Sequence, residues 1–487
     1  MLKNGFYNTL ASVIRIVVTL LTVPVIIRLL GIEQYGLFSL ASTIVNSMSL
    51  AEAGLALTMT VFISRDLAVD NTNGIAQTFG TVALTMIFLA ALALVAMYIT
   101  APIITNSFNL ASLENQKLLV KALGFGAISV SCKLLQQIFV GFEQAYQRYD
   151  WINIVNTLQV LFTYMGMWII SLLGGSIVSL MKWQAICTFI TLLAHGHLNY
   201  STIHPLIKCY KWSNTGLKQI LKFSFATWLG SLSSLMFSQF DKIIVASLFS
   251  PSLLGIYSAI TSVTSQINQL SAIAVQPVLP VLSRMISLPQ TSINDLEAIS
   301  KKILAVNFTI ALGMGGSLLS LSFIWLPIVI PGVELKEVLF GCQILVIIYS
   351  IYSVNASGYY LMIGTGSIKS CTMLQLIAST ITLALIYEWG KEFGFAGSTL
   401  GNIGYVLTLG MLILGFRELN IDIWKVTRPV CPLCIWFLAV VMINLFFDIR
   451  NEILGTVFIS QTLILCIILY KTKELKPIFS RLQKTFM

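Results

Sequence analysis

The sequence predicts an all-α, polytopic membrane protein of about fourteen transmembrane helices, and three observations carry that expectation. Of 487 residues, 57% are apolar or aromatic and only 10% are charged, with a mean hydropathy of +0.87; a soluble domain is roughly half apolar and about a quarter charged. Apolar runs recur at a spacing of about 35 residues per crossing and loop, and about 20 apolar residues span a bilayer. Lysine and arginine are unequally shared between alternate loops. Low-complexity tracts and stretches polar enough for a separate soluble head do not stand out, so neither a disordered chain nor a cytosolic enzyme is expected.

Taken in order, the runs place spans near 6–28, 35–63, 76–99, 121–141, 152–173, 177–198, 223–248, 254–281, 303–330, 338–362, 371–388, 396–416, 431–447 and 453–470. The first run continues to Leu30 with no small-residue cleavage site, so it reads as a span and not a cleavable leader. An even number of spans puts both termini on one side. Nineteen of the 29 cations fall in segments on that side, against six on the other (Arg28, Lys117, Lys121, Lys336, Lys391 and Arg450). The positive-inside rule then assigns both termini to the cytoplasm. The net charge of +10 is thereby explained by topology, and no nucleic-acid partner is expected. The eight cysteines lie in or beside apolar runs, and Cys431 and Cys434 form a lone CxxC with no second pair or histidine nearby. Neither a disulfide framework nor a metal or other cofactor is expected.

Sliding the chain against itself by 219 residues superimposes Gly36-Leu-Phe-Ser39 on Gly255-Ile-Tyr-Ser258, Ser64-Arg65 on Ser283-Arg284, Lys3 on Lys222 and Phe6 on Phe225. A shift of six spans preserves orientation, so the expected architecture is two six-helix lobes related by a pseudo-two-fold axis along the membrane normal, plus two extra C-terminal helices. The lobes would be 1–198 and 223–416, joined by a cytoplasmic linker at 199–222, and 417–487 would hold the last two spans and a basic tail. A cleft between two such bundles is the usual setting for alternating access.

Four cations, Arg15, Lys133, Lys182 and Lys242, and two acids, Glu52 and Asp241, fall inside apolar runs. A charge at the bilayer centre costs about 2.5–3.5 kcal/mol on insertion scales, so each should face protein or water. Arg15 and Glu52 sit at equal depth, about 18–20 Å from the cytoplasmic end, and are candidate partners. Lys133 is also mid-span with no obvious carboxylate at its depth, which points to a wet cavity that accepts an anion. Lys182, near an outer end, reads as a side chain that snorkels to the headgroups. Asp241 and Lys242 point about 100° apart on a helix, so at least one should face the cleft. Four cations against two acids would draw an anion. His195, His197 and His204 read as interfacial anchors and not as ligands. Pro24, Pro277, Pro280 and Pro327 would kink their spans. No nucleophile with a base, phosphate loop or paired carboxylates emerges, so an enzyme is not expected.

The stretches Leu30-Gly31-Ile-Glu33-Gln-Tyr35-Gly36-Leu, Ala51-Glu52-Ala53-Gly54-Leu55, Asp241-Lys-Ile-Ile244, Leu254-Gly255-Ile-Tyr257-Ser-Ala259 and Pro277-Val-Leu-Pro280 resemble the polysaccharide-transport, or Wzx-type, flippases of the multidrug/oligosaccharidyl-lipid/polysaccharide exporter superfamily. Where relatives often carry an Asp before the Gly-Leu of the second span, Glu52 stands here. The resemblance implies a bacterial inner-membrane carrier that turns an undecaprenyl-pyrophosphate-linked oligosaccharide (an O-antigen, capsule or exopolysaccharide repeat unit) from the inner to the outer leaflet. H+ or Na+ antiport or the membrane potential would drive it, with membrane lipids and the polysaccharide polymerase machinery as partners. Arg15, Lys133 and Lys242 would then bind substrate, and Glu52 and Asp241 would pair with them or couple an ion. The alternatives are a small-molecule or cation antiporter of the multidrug type, for which acids should outnumber in-span cations, and a membrane-embedded glycosyltransferase or polymerase, which would need a larger outer loop.

Overall fold

The computed structural model describes residues 2–110, 112–209, 214–276, 293–333 and 335–446, with scattered positions in 279–286 and at 461–462; side chains of 1–15 and of some positions in 207–227 and 335–337 are outside that description. Among the described residues every regular element is a helix. Among the described residues nine helical segments are long and apolar enough to cross a membrane, from Ile32–Ala68 to Ile423–Leu445. The chain is thus an all-α, multi-pass membrane protein. Several helices carry the wide apolar outer face that a lipid environment demands. On the long fourth helix, Leu84, Ile87, Phe88, Leu92, Val95, Tyr98 and Ile99 are all exposed along one side, a patch that water would not tolerate.

The described chain divides into two compact units, Met1–Ser258 and Ala259–Met487. The first contains α1 (Leu2–Leu30), α2 (Ile32–Ser47), α3 (Leu55–Ala68), α4 (Thr72–Asn106), α5 (Leu113–Ala145), α6 (Tyr149–Leu172), α7 (Ile177–Cys209), α8 (Asn214–Leu235), α9 (Asp241–Leu248) and the start of α10 (Pro251–Val275). The turns between them are short and capped by their own sequence. Asn71 Oδ1 accepts from the Gly74 N–H at 3.0 Å and Ser112 Oγ from the Asn115 N–H at 3.1 Å, each satisfying an orphan donor of a helix first turn. Asn115 then donates to Glu33 Oε1 at 2.7 Å, tying the start of α5 to the start of α2. Helix α5 is the hub, flanked by α2, α3, α4, α6 and α7. Leu119, Ala122, Leu123, Ala127 and Val130 on it are sealed from solvent.

In the first unit two of the expected continuous spans are interrupted. The second span is α2, a 3-10 turn at Met48–Glu52, and α3, with Ala53 (φ 53°) and Gly54 (φ 72°) both left-handed at the break. Glycine enters that region without a Cβ clash, which explains Gly54 but not Ala53. The seventh span carries a π-helical turn, Met236–Phe240, directly before Asp241.

The 219-residue register is visible as contact within the first unit. Ser39 Oγ donates to Ser258 Oγ at 2.7 Å, joining the two serines that the repeat superimposes. A Cβ on Gly36 would lie 1.8 Å from the Pro251 carbonyl oxygen, and one on Gly255 would lie 2.5 Å from the Ile32 carbonyl oxygen. Pro251 is 219 residues after Ile32, so each glycine faces the repeat partner of the residue that its own counterpart faces. Such reciprocity marks a local two-fold axis between α2 and α10.

The second unit runs through α11 (Ile293–Ser320), α12 (Ser322–Val329), α13 (Leu335–Gly364), α14 (Ile368–Gly401), α15 (Gly410–Glu418), α16 (Ile423–Thr427) and α17 (Cys431–Phe446). Gly394 breaks α14 with non-helical dihedrals, near the expected boundary between the eleventh and twelfth spans. Asn307 Nδ2 donates to the Val354 carbonyl at 2.6 Å and to Ser357 Oγ at 3.2 Å, pinning α11 to α13 through a buried amide. Pro277, Pro280 and most of the expected fourteenth span lie outside the described residues.

Candidate functional site

Helix α5 carries four polar residues on one face. Ser129, Lys133, Gln136 and Glu143 occur at i, i+4, i+7 and i+14, within an arc of about 80° at 100° per residue. Each reaches a different neighbour. Ser129 Oγ lies 3.3 Å from Thr188 Oγ1 on α7, Lys133 Nζ donates to Asn46 Oδ1 on α2 at 3.4 Å, and Gln136 Nε2 donates to Asn156 Oδ1 on α6 at 3.3 Å. Lys133 is half-buried about 30 Å along α5, at 1.5 Å per residue. It feels the charge of Glu52, which sits half-buried at the broken middle of the second span. The expectation that no carboxylate shares the depth of Lys133 is thereby corrected: the break in the helix turns Glu52 toward α5. The two are not locked together, since the one ion pair within 4.0 Å among the described residues is elsewhere. Asn46 and the more distant Glu52 leave Lys133 with donor capacity to spare, because an ammonium carries three hydrogens.

The break is held from outside by α8. Trp228 Nε1 donates to the Leu50 carbonyl at 3.0 Å, and Thr58 Oγ1 and Ser224 Oγ are 2.7 Å apart. The first bond adds a second donor to the Leu50 carbonyl, which already accepts from the Ala53 N–H at 3.1 Å, and so ties the break to α8.

The other candidates are dispersed. Arg15 lies on α1, but its side chain is outside the described residues, so its expected pairing with Glu52 is not seen. Asp241 is 1% exposed at the start of α9 and accepts from the Tyr257 hydroxyl at 3.0 Å. Lys242, next along the helix, is half-buried and interacts electrostatically with Asp241. Lys182 is exposed near the start of α7.

One cluster was not expected. His195 is fully buried on α7, its Nδ1 2.8 Å from Glu143 Oε1, and Asn199 Nδ2 donates to the same carboxylate oxygen at 2.6 Å. The reading of His195 as an interfacial anchor is overturned, because α5 continues past residue 141 to Ala145 and carries Glu143 inward. The signals were present: Glu143 extends the polar period of α5, and His195 pairs at i+4 with Asn199, not at i+2 with His197.

The family model described as "Polysaccharide biosynthesis protein" matches residues 1–286, which include the repeat contact, the broken span and the polar face of α5. The chain belongs to that family. A search of curated proteins finds no sequence match. Among solved structures, the chain is similar to "Lipid II flippase MurJ, inward closed conformation", with a TM-score of 0.70 and 16% identity over 97% of this chain and 98% of that one. It is also similar to an inward-facing multidrug resistance MATE family transporter of the MOP superfamily, with a TM-score of 0.72 and 13% identity over 83% and 94% of the two chains. A MOP superfamily transporter from Pyrococcus furiosus gives a TM-score of 0.52 and 12% identity over 83% and 95%. At these identities the likeness establishes a common fold, that of the transporters named, for this member of the polysaccharide biosynthesis family.

Proposed function

We propose that this protein translocates a lipid-pyrophosphate-linked oligosaccharide between the leaflets of a bacterial inner membrane by alternating access. Its termini would be cytoplasmic, its repeat-related halves would be 1–198 and 223–416, joined by 199–222, and 417–487 would follow outside the repeat. The observation that carries the reading is Lys133, a cation at mid-span whose nearest described acceptor is a neutral amide at 3.4 Å and which no described carboxylate approaches within 4.0 Å. A cation left so lightly occupied in a membrane interior is suited to a transient anion, and a pyrophosphate offers several acceptor oxygens. Membership in the polysaccharide biosynthesis family and the shared fold with a lipid II flippase support the same substrate class. Arg15 and Lys242 would assist at other depths. Glu52 would hold Lys133 extended between passages, and Asp241 would balance Lys242. With the cytoplasm negative, outward movement of the anion is favoured by about 2.3 kcal/mol per charge per 100 mV.

Lys133 variants in proteoliposomes test the site. A charge-assisted hydrogen bond contributes about 1.5–3 kcal/mol, so Lys133→Gln should slow movement of a fluorescent lipid-pyrophosphate glycan by about 10- to 150-fold, and Lys133→Arg should retain most of it. Equal rates for Gln and wild type would remove Lys133 from the substrate path. Export of small cations with no lipid movement would favour the multidrug-type antiporter instead.

A further inference from the structure

We propose that Glu143, His195 and Asn199 form a proton-binding site in the seam between α5 and α7, separate from the Lys133 and Glu52 site. All three side chains have 0% exposure. Glu143 Oε1 accepts from Asn199 Nδ2 at 2.6 Å and lies 2.8 Å from His195 Nδ1, while Asn199 Nδ2 also donates to the His195 carbonyl at 2.8 Å. Both acceptors of the Asn199 amide demand its NH2, which fixes its orientation. A carboxylate facing Nδ1 likewise demands that Nδ1 carry hydrogen, which in a neutral imidazole leaves Nε2 a bare acceptor.

Three atoms then remain without a hydrogen-bond partner among the described residues: Glu143 Oε2, His195 Nε2 and Asn199 Oδ1. All are acceptors, and the side-chain donors of the cluster are already used. The open Nε2 is where one added proton can bind. There it makes an imidazolium that neutralises the adjoining carboxylate, relieving a buried charge that is otherwise expensive to hold.

Other ionisable groups on the neighbouring elements are occupied or turned outward. On α3, Arg65 is exposed and Asp66 Oδ1 accepts from Asn71 Nδ2 at 2.9 Å. Helix α4 carries no Asp, Glu, Lys, Arg or His. At the start of α6, the Arg148 guanidinium lies 4.6 Å from the Trp151 ring and 5.7 Å from the Tyr146 ring, and Asp150 is exposed. His197, Tyr200 and His204 on α7 and Lys218 on α8 are exposed, and Glu33 on α2 is taken by Asn115. Glu52 in the 3-10 turn interacts with Lys133. The Glu143 and His195 pair is therefore the proton-responsive group of this seam. It lies about 15 Å from Lys133 along the same face of α5. On the transport reading above, on which this one step rests, the pair is the seat of a coupling proton.

The test uses the full chain in nanodiscs, with protons as the probe. Histidine side-chain NMR, assigned with His195→Gln, should show His195 taking up one proton as the pH is lowered. Glu143→Gln should weaken that uptake about tenfold or more by removing the facing charge. If Glu143→Gln fails to fold, Glu143→Asp, which withdraws the charge by one methylene, should weaken it in the same direction. A His195 signal that does not change with pH, or that neither variant shifts, overturns the proposal and leaves a cluster bridged by water alone. Because no lipid is present, the titration stands apart from the flippase reading. Normal titration with no glycan movement would refute only the latter, and movement in wild type that ignores an imposed pH gradient would refute the coupling role.

Discussion

Replacing Gly36 with alanine is the sharpest probe of the helix crossing that the repeat creates. The new Cβ would sit 1.8 Å from the Pro251 carbonyl oxygen, 2.7 Å from its carbon and 3.1 Å from the Gly255 nitrogen. Ordinary contact begins at about 3.5 Å, so α2 and α10 would have to separate by up to about 1.7 Å. At Gly255 the corresponding distance is 2.5 Å, and the required shift is about 1.0 Å. Backbone atoms cannot rotate away as a side chain can. Overpacking of this kind typically costs about 1–3 kcal/mol, and Gly36→Ala should be the more damaging of the two. The double variant should lose less than the sum, because both substitutions open one contact. The readout is the midpoint of thermal unfolding of the purified chain, together with oxidative cross-linking of a Ser39→Cys, Ser258→Cys pair. The parent hydroxyls are 2.7 Å apart, so the thiols should cross-link readily in the otherwise native chain and poorly once Gly36→Ala is added. Unchanged midpoints, or cross-linking that ignores Gly36→Ala, would refute the close two-fold crossing.

Two further outcomes follow from the interrupted spans. Ala53→Gly should stabilise the protein by up to about 1 kcal/mol and Gly54→Ala should destabilise it by a similar amount, since both residues are left-handed; opposite signs in thermal unfolding would contradict the break beside Glu52. Tyr257→Phe removes the hydroxyl that donates to buried Asp241 and should cost about 1–3 kcal/mol, with a smaller loss in an Asp241→Leu, Tyr257→Phe pair relative to Asp241→Leu alone, where no acceptor remains at 241.

Composition, run spacing and loop charge were enough to read the helical membrane class, because a bilayer imposes length and polarity on every crossing. The repeat was legible for a related reason: Gly36 and Ser39 are small where two helices must touch, so their counterparts Gly255 and Ser258 are small as well. Hydropathy was blind to the interruption at Met48–Glu52, which is apolar except for Ser49 and Glu52; only Gly54 hinted at it, and the neighbouring left-handed Ala53 gave no hint. That break leaves Glu52 within electrostatic reach of Lys133. Glu143 lies two residues beyond the apolar run at 121–141, where hydropathy gives no signal but helical periodicity from Lys133 and Gln136 carries it inward. Buried partnership of that kind, Glu143 with His195 across 52 positions, is a tertiary fact that spacing along one helix does not contain.

Headgroup discrimination by the reconstituted full chain tests the central claim most directly. Vesicles would hold either a polyprenyl-pyrophosphate glycan or the same glycan on an uncharged polyprenyl ether, and leaflet exchange of each would be followed by a membrane-impermeant lectin or quencher. The account predicts rapid exchange of the pyrophosphate lipid, little of the ether, and loss of that preference in Lys133→Gln. Equal exchange of both lipids, or a preference that survives Lys133→Gln intact, would contradict it.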